Sequence, residues 1–142
     1  MKAIHQASLL LFIVLSTAVS VCEAAKFKCQ LNDRATSPNL GQGKDAFSIT
    51  TPEIFLNCVS TQAVKGEQVK AVWIAADSNN VVPANYKFAE KTLDVTKDMS
   101  AGEAFDATLS VTKPNQGWLV GSYNVELYVG GNLDGTYKFT VK

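Results

Sequence analysis

Acid–base, nucleophilic and metal chemistry each need particular side chains, and this chain of 142 residues offers few of them in usable arrangements. Its single histidine, His5, lies in an N-terminal segment expected to be removed. Without it the remaining chain builds no Ser-His-Asp or Cys-His site and no histidine-containing zinc or copper site. Asp94 with Asp98, and Asp77 with Glu90, are the carboxylate pairs that could flank a glycosidic bond. Nothing in their spacing requires them to meet, and scattered carboxylates are ordinarily a solvated surface. Asp77, Asn79 and Asn80, or Asn132 and Asp134, offer oxygen ligands for calcium, but no complete EF-hand loop is present. Asn and Asp in turns more often serve the backbone. The stretch Gly130-Gly131-Asn132-Leu133-Asp134-Gly135 lies between two strands rather than between a strand and a helix, so it does not suit a phosphate. The expectation is a protein with no catalytic residue, no metal site and no cofactor.

The N-terminus sets the compartment. A basic start at Lys2, an apolar run from Leu9 to about Val19 and a small-residue exit at Ala24-Ala25 follow the three-part pattern of a secretory signal peptide. The run is short for a bilayer, which asks for about 20 apolar residues. Residues 1–25 are therefore read as a signal peptide and 26–142 as one exported domain, periplasmic or secreted, with no membrane span after removal. Cys22 raises lipid anchoring, but Val21 before it is branched where a lipoprotein signal carries a small residue. Removal takes one of 13 basic and one of 13 acidic side chains, so the balance stays neutral. A neutral domain without a basic cluster has no electrostatic footprint for nucleic acid. Cys29 and Cys58 are the cysteines left, and an oxidising compartment favours pairing them. In the chain-entropy treatment, closing that loop contributes about 3–4 kcal/mol.

The elements that must position these residues read as strands throughout. Phe27, Cys29 and Leu31 alternate with polar residues; Asn32 to Lys44 is a long polar loop; Phe47 and Ile49 start a strand broken near Pro52. Ile54 to Val59 is almost continuously apolar, and Val69 to Ala76 is apolar on both faces, as a central strand is. Tyr86 and Phe88 begin a weaker strand running through Leu93 and Val95. Strict alternation marks Phe105 to Thr112, Tyr123 to Val129 and Tyr137 to Val141, with the Gly130–Gly135 segment as the hairpin turn. About seven short strands in one domain suggest a two-sheet antiparallel β-sandwich.

Cys58, Trp73 and Tyr123-x-Val125 resemble the immunoglobulin pattern of Cys on strand B, Trp on strand C and Tyr-x-Cys on strand F, with Val125 standing where the second cysteine would be. The closing stretch, with Gly117, Trp118, Gly121, Tyr123, Val125, Leu127, Tyr128, Phe139 and Val141, also resembles small exported bacterial immunoglobulin-like domains. The resemblance implies an all-β, immunoglobulin-like sandwich with Val125 packed against Trp73. It further implies that strands C, F and G share a sheet whose outer face carries Lys70, Val72, Ile74, Glu126, Tyr128, Thr136, Lys138 and Thr140. Val72, Ile74, Glu126, Tyr128 and Lys138 are then candidates for binding a protein partner, unless the segment from Val81 to Phe88 covers the aliphatics. Trp118 plugs the end of the sandwich or contacts a ligand there. The expected function is a non-enzymatic, exported binding module, with self-association open. The alternatives are an inhibitor or immunity-type protein acting on an envelope enzyme, or a subunit of a surface assembly.

Overall fold

The structure, a computed structural model, describes residues 24–36, 40–100 and 102–142. His5, Cys22 and nearly all of the expected signal peptide lie outside these residues. Eight strands follow in order: β1 (Lys28–Asn32), β2 (Ala46–Phe47), β3 (Glu53–Ser60), β4 (Gln68–Asp77), β5 (Tyr86–Asp94), β6 (Phe105–Thr112), β7 (Gly121–Val129) and β8 (Asn132–Val141). One sheet has the order β1-β3-β6 and the other β2-β8-β7-β4-β5. Every pairing is antiparallel except the short β2–β8 contact, which is parallel.

Period-two alternation supplies the core from both sheets. Ile54, Leu56 and Cys58 of β3 and Ala107, Leu109 and Val111 of β6 form one inner layer. Val69, Ala71, Trp73 and Ala75 of β4, with Tyr123, Val125 and Leu127 of β7, form the other. Trp73 and Val125 are cross-strand neighbours within one sheet and fully buried, and Val125 stands where the immunoglobulin pattern has its second cysteine. The disulfide instead joins Cys29 to Cys58 on adjacent strands of one sheet, directly opposite each other. The Tyr123 hydroxyl donates to the Leu119 carbonyl at 2.6 Å, four residues upstream, which is the tyrosine corner of this architecture.

Two expectations are corrected in detail. The strand expected through Phe47 and Ile49 is two residues long. Ile49 leaves the sheet and is exposed, because Ser48 starts a turn closed by the Thr51 N–H on its carbonyl at 3.0 Å. The hairpin turn is Gly130-Gly131 alone, both with positive φ (58° and 85°), and Asn132 already pairs with Val129. Two left-handed glycines make the tight turn whose twist suits a hairpin, so Asn132 to Gly135 belong to β8. Asn57, the expected polar exception in the apolar run of β3, holds the long loop. It donates to the Arg34 carbonyl at 3.0 Å and accepts from the Thr36 N–H at 3.2 Å.

The start of the domain is tied down as well. The Lys26 and Phe27 N–H groups donate to the two carboxylate oxygens of Asp134 on β8, at 2.7 and 3.0 Å. The Lys26 ammonium reaches Glu67 at 2.8 Å.

Candidate functional site

The outer face of β5-β4-β7-β8 carries most of the residues expected to bind a partner, and the register arranges them in rungs. Thr92, Lys70, Tyr128 and Leu133 form one; Glu90, Val72, Glu126 and Thr136 the next; Lys87, Ile74, Asn124 and Lys138 a third. All five candidates of this face do point outward together. Their availability differs from the expectation. Val72 is only 7% exposed and Ile74 is half-buried. The cause is in-sheet: Val72 sits between Glu90 and Glu126, whose long side chains flank it from both neighbouring strands. Lys70 and Lys87 both reach Glu90, the former at 3.5 Å. The Lys70 ammonium also lies 5.2 Å from the centre of the Tyr128 ring, and the Tyr128 hydroxyl is 3.3 Å from Glu126. The hydrogen bond from Lys87, with lesser help from Lys70, holds the Glu90 carboxyl below its ordinary range despite partial desolvation. Val72 is therefore removed from the candidates, Tyr128 and Glu126 spend their polar groups on each other, and Lys70 spends its ammonium on Glu90 and the Tyr128 ring. Lys138 remains exposed at the end of its rung.

Trp118 leads to a different site. It is 5% exposed, and its indole N–H donates to the Thr51 carbonyl at 2.8 Å, so it plugs the end of the sandwich. Phe88, Trp118 and Tyr123 pack edge-to-face on one another, with centroids 5.8–6.1 Å apart and planes 81–89° apart. These rings floor a cleft of about 550 Å³ at the end of the sheets. Phe88 reaches it because the β4–β5 register slips between Trp73 and Ile74, leaving Phe88 as the extra residue.

Two loops wall the cleft. The β4–β5 loop is fixed by its own short polar side chains. Ser78 is buried; its hydroxyl accepts from the Val82 N–H at 2.9 Å and donates to the Val82 carbonyl at 3.2 Å. Asp77 accepts from the Asn79 N–H at 2.9 Å, and Asn79, Asn80 and Asn85 take left-handed conformations with φ of 55°, 66° and 57°. The oxygen-rich cluster considered for calcium is thus engaged in shaping backbone. This loop holds Val81 out, 65% exposed, with Tyr86 beside it at 49%. The opposite wall runs from Pro114 to Leu119, turned by the Gly117 N–H on the Pro114 carbonyl at 2.8 Å. The walls meet where Gly121 passes Asp77: a Cβ on Gly121 would lie 2.0 Å from the Asp77 carbonyl oxygen.

The cleft is uncharged and lined mainly by apolar and aromatic side chains. Its lining holds no Asp, Glu, Lys, Arg or His. The Tyr123 phenol is pushed above its ordinary range by burial and is already committed to the Leu119 carbonyl. The carboxylate pairs do not assemble here. Glu90 lies opposite Val72, whereas Asp77 is five residues further along β4, about 16 Å at strand rise. Among the described residues no group of three or more His, Cys, Asp or Glu gathers. Sequence reasoning found Trp118 but missed Val81, Tyr86 and Phe88 as its companions. The signal for Val81 was available: an apolar Val-Val pair inside the loop Asp77-Ser-Asn-Asn-Val-Val-Pro-Ala-Asn85.

The chain matches no protein-family model and no curated protein. Among solved structures it is similar to an alkylpurine DNA glycosylase of Pseudomonas fluorescens bound to abasic-site DNA (TM-score 0.49, 16% identity, 83% of this chain and 31% of that one). It is also similar to a β-glucosidase of Listeria innocua (TM-score 0.48, 10% identity, 83% and 16%). A third is an immunoglobulin-like protein of Pseudomonas aeruginosa (TM-score 0.49, 10% identity, 82% and 91%). The chain spans less than a third of either enzyme. Strand order, inter-sheet core and tyrosine corner together make the domain an immunoglobulin-like antiparallel β-sandwich.

Proposed function

We propose that this chain is a non-enzymatic bacterial binding module, exported to the cell envelope or beyond, that takes a protein partner in the end cleft above Trp118. One observation carries the reading: two large apolar side chains, Val81 and Tyr86, are held out over an uncharged aromatic floor by a loop with its own hydrogen bonds. An ordered loop loses little freedom on binding, and exposed apolar and aromatic groups beside a pocket are the usual anchors of recognition. The Cys29–Cys58 disulfide supports export, since such bonds persist in oxidising compartments. The outer sheet face is the weaker candidate because its polar groups pair internally.

The test is a crosslinked pull-down of tagged protein from its native envelope and medium, run with Tyr86→Ala, Val81→Asp and Tyr128→Ala. A dominant partner lost with Tyr86→Ala and Val81→Asp, kept with Tyr128→Ala, and accompanied by unchanged melting temperatures is the expected outcome. Loss confined to Tyr128→Ala would move the site to the sheet face. No enriched partner would remove the reading.

A further inference from the structure

β6 is one edge of the three-stranded sheet, and the disulfide fixes which way its backbone points. Cys29 and Cys58 oppose each other with Cα atoms 4.1 Å apart, the close spacing of a non-hydrogen-bonded antiparallel pair. The Cys58 N–H and C=O therefore point away from β1, toward β6, where Cys58 faces Ala107. Ala107 bonds back to β3, and by alternation so do Phe105, Leu109 and Val111. The Lys113 N–H, donating to the Pro52 carbonyl at 2.8 Å, continues the same phase. The main-chain groups of Asp106, Thr108, Ser110 and Thr112 consequently face out of the sheet. Among the described residues β6 pairs with β3 alone.

Sheet edges invite further strands unless guarded by charge, bulge or brevity. The other edges are guarded. β5 carries Lys87, Glu90, Lys91 and Asp94 and lies against a bulge; β1 has five residues and Lys28; β2 has two, and the part of β8 that it leaves uncovered carries Asp134 and Lys138. β6 has eight residues in unbroken register, with no lysine, no proline and one charge, Asp106.

We infer that this edge joins the same edge of a second copy, antiparallel and about a two-fold axis. The sequence Phe105-Asp-Ala-Thr-Leu-Ser-Val-Thr112 is complementary to itself in that arrangement. Centring the register on Leu109 opposite Leu109 of the second copy sets Thr108 against Ser110 and Asp106 against Thr112. These are the residues whose main-chain groups face outward, so each N–H meets a carbonyl. On the outer side Thr108 faces Ser110, whose hydroxyls keep their own bonds to Asn57 and Glu53 of β3, and Ala107 faces Val111 on the core side. The two Asp106 carboxylates fall at opposite ends, each one residue from Lys113 of the other copy. The contact is isologous and closes at two copies.

Sedimentation of the purified, oxidised chain from micromolar to millimolar concentration, with hydrogen exchange on the same samples, decides the matter. The mass is expected to rise twofold, and the Asp106, Thr108, Ser110 and Thr112 amides to slow as it does. Thr108→Pro removes an N–H that the single copy does not use, and Thr108→Lys sets two lysines diagonally across the axis. Both are expected to hold the mass at one copy; each also loses the long Thr108 hydroxyl contact to Asn57 Oδ1 (3.5 Å), so folding is checked by a single cooperative melting transition rather than an unchanged midpoint. Should Thr108→Pro fail to fold, Thr108→Lys gives the answer alone. A single-copy mass at every concentration overturns the inference. So does a dimer that folded Thr108→Lys retains, or one whose exchange protection falls elsewhere.

Discussion

Glu67 has both of its carboxylate oxygens engaged. The Lys26 ammonium reaches one of its oxygens and the Val64 N–H the other, each at 2.8 Å. The hydrogen bond from Lys26 lowers its pKa below the ordinary 4.5; partial burial opposes this, and the Val64 N–H assists. A carboxyl with a depressed folded pKa contributes stability that is present above its unfolded pKa and lost as pH falls through the folded one. Glu67→Gln should therefore cost about 0.5–1 kcal/mol at neutral pH, the scale of a partly exposed pair with an added hydrogen bond. The difference from wild type should vanish in acid below that range, as denaturant titrations at neutral and acid pH would read. If the gap persists in acid, the side chain matters by packing rather than charge. Single residues were legible where local pattern decides them: the cysteine pair, the buried Trp73 and Tyr123, the outward Tyr128. Val72 was not. Its direction follows from alternation, but its burial depends on Glu90 and Glu126, which register alone brings beside it.

At the scale of elements, the join between β4 and β7 is the tightest point. Gly121 has φ of 151° and no room for a Cβ against the Asp77 carbonyl. Gly121→Ala should destabilise the domain by about 2–4 kcal/mol, since main chain must move to admit it. It should also loosen both cleft walls, which a protease-nicking assay on the loop after Asp77 would report. A wild-type melting temperature in that variant would contradict the close approach. Seven of the eight strands were readable from alternation or apolar runs, β8 only in its second half. β2 and the hairpin turn were not read correctly, because two residues make no period and a glycine pair fixes a turn through φ, which composition does not show. The Phe88 bulge was equally hidden. It exists only in the pairing of two strands, and without it the cleft would lack one ring of its floor.

The whole molecule is a frame that keeps its polar business local. Ion pairs lie on the outer sheet face, in the loop after β1 and beside Lys26, the core is apolar, and the cleft is uncharged. Fold class was legible because each strand repeats the same simple rule. The site was half legible, because a cleft is built from segments distant in sequence. Asp134 adds a feature of another kind. Its carboxylate grips the Lys26 and Phe27 N–H groups as amides of an uncut chain. Cleavage after Ala25 would turn the first of these into an ammonium already seated 2.7 Å from an anion. The carboxylate would then read which peptide bond had been cut, since removal of one residue fewer leaves a neutral amide in that seat. Charge-assisted bonds are roughly twice as strong as neutral ones. A chain cut after Ala25 should outlast the uncut one by about 1 kcal/mol in denaturant, and Asp134→Asn should erase the difference. Maturation would in that way be registered as stability, by one side chain at the far end of the sequence.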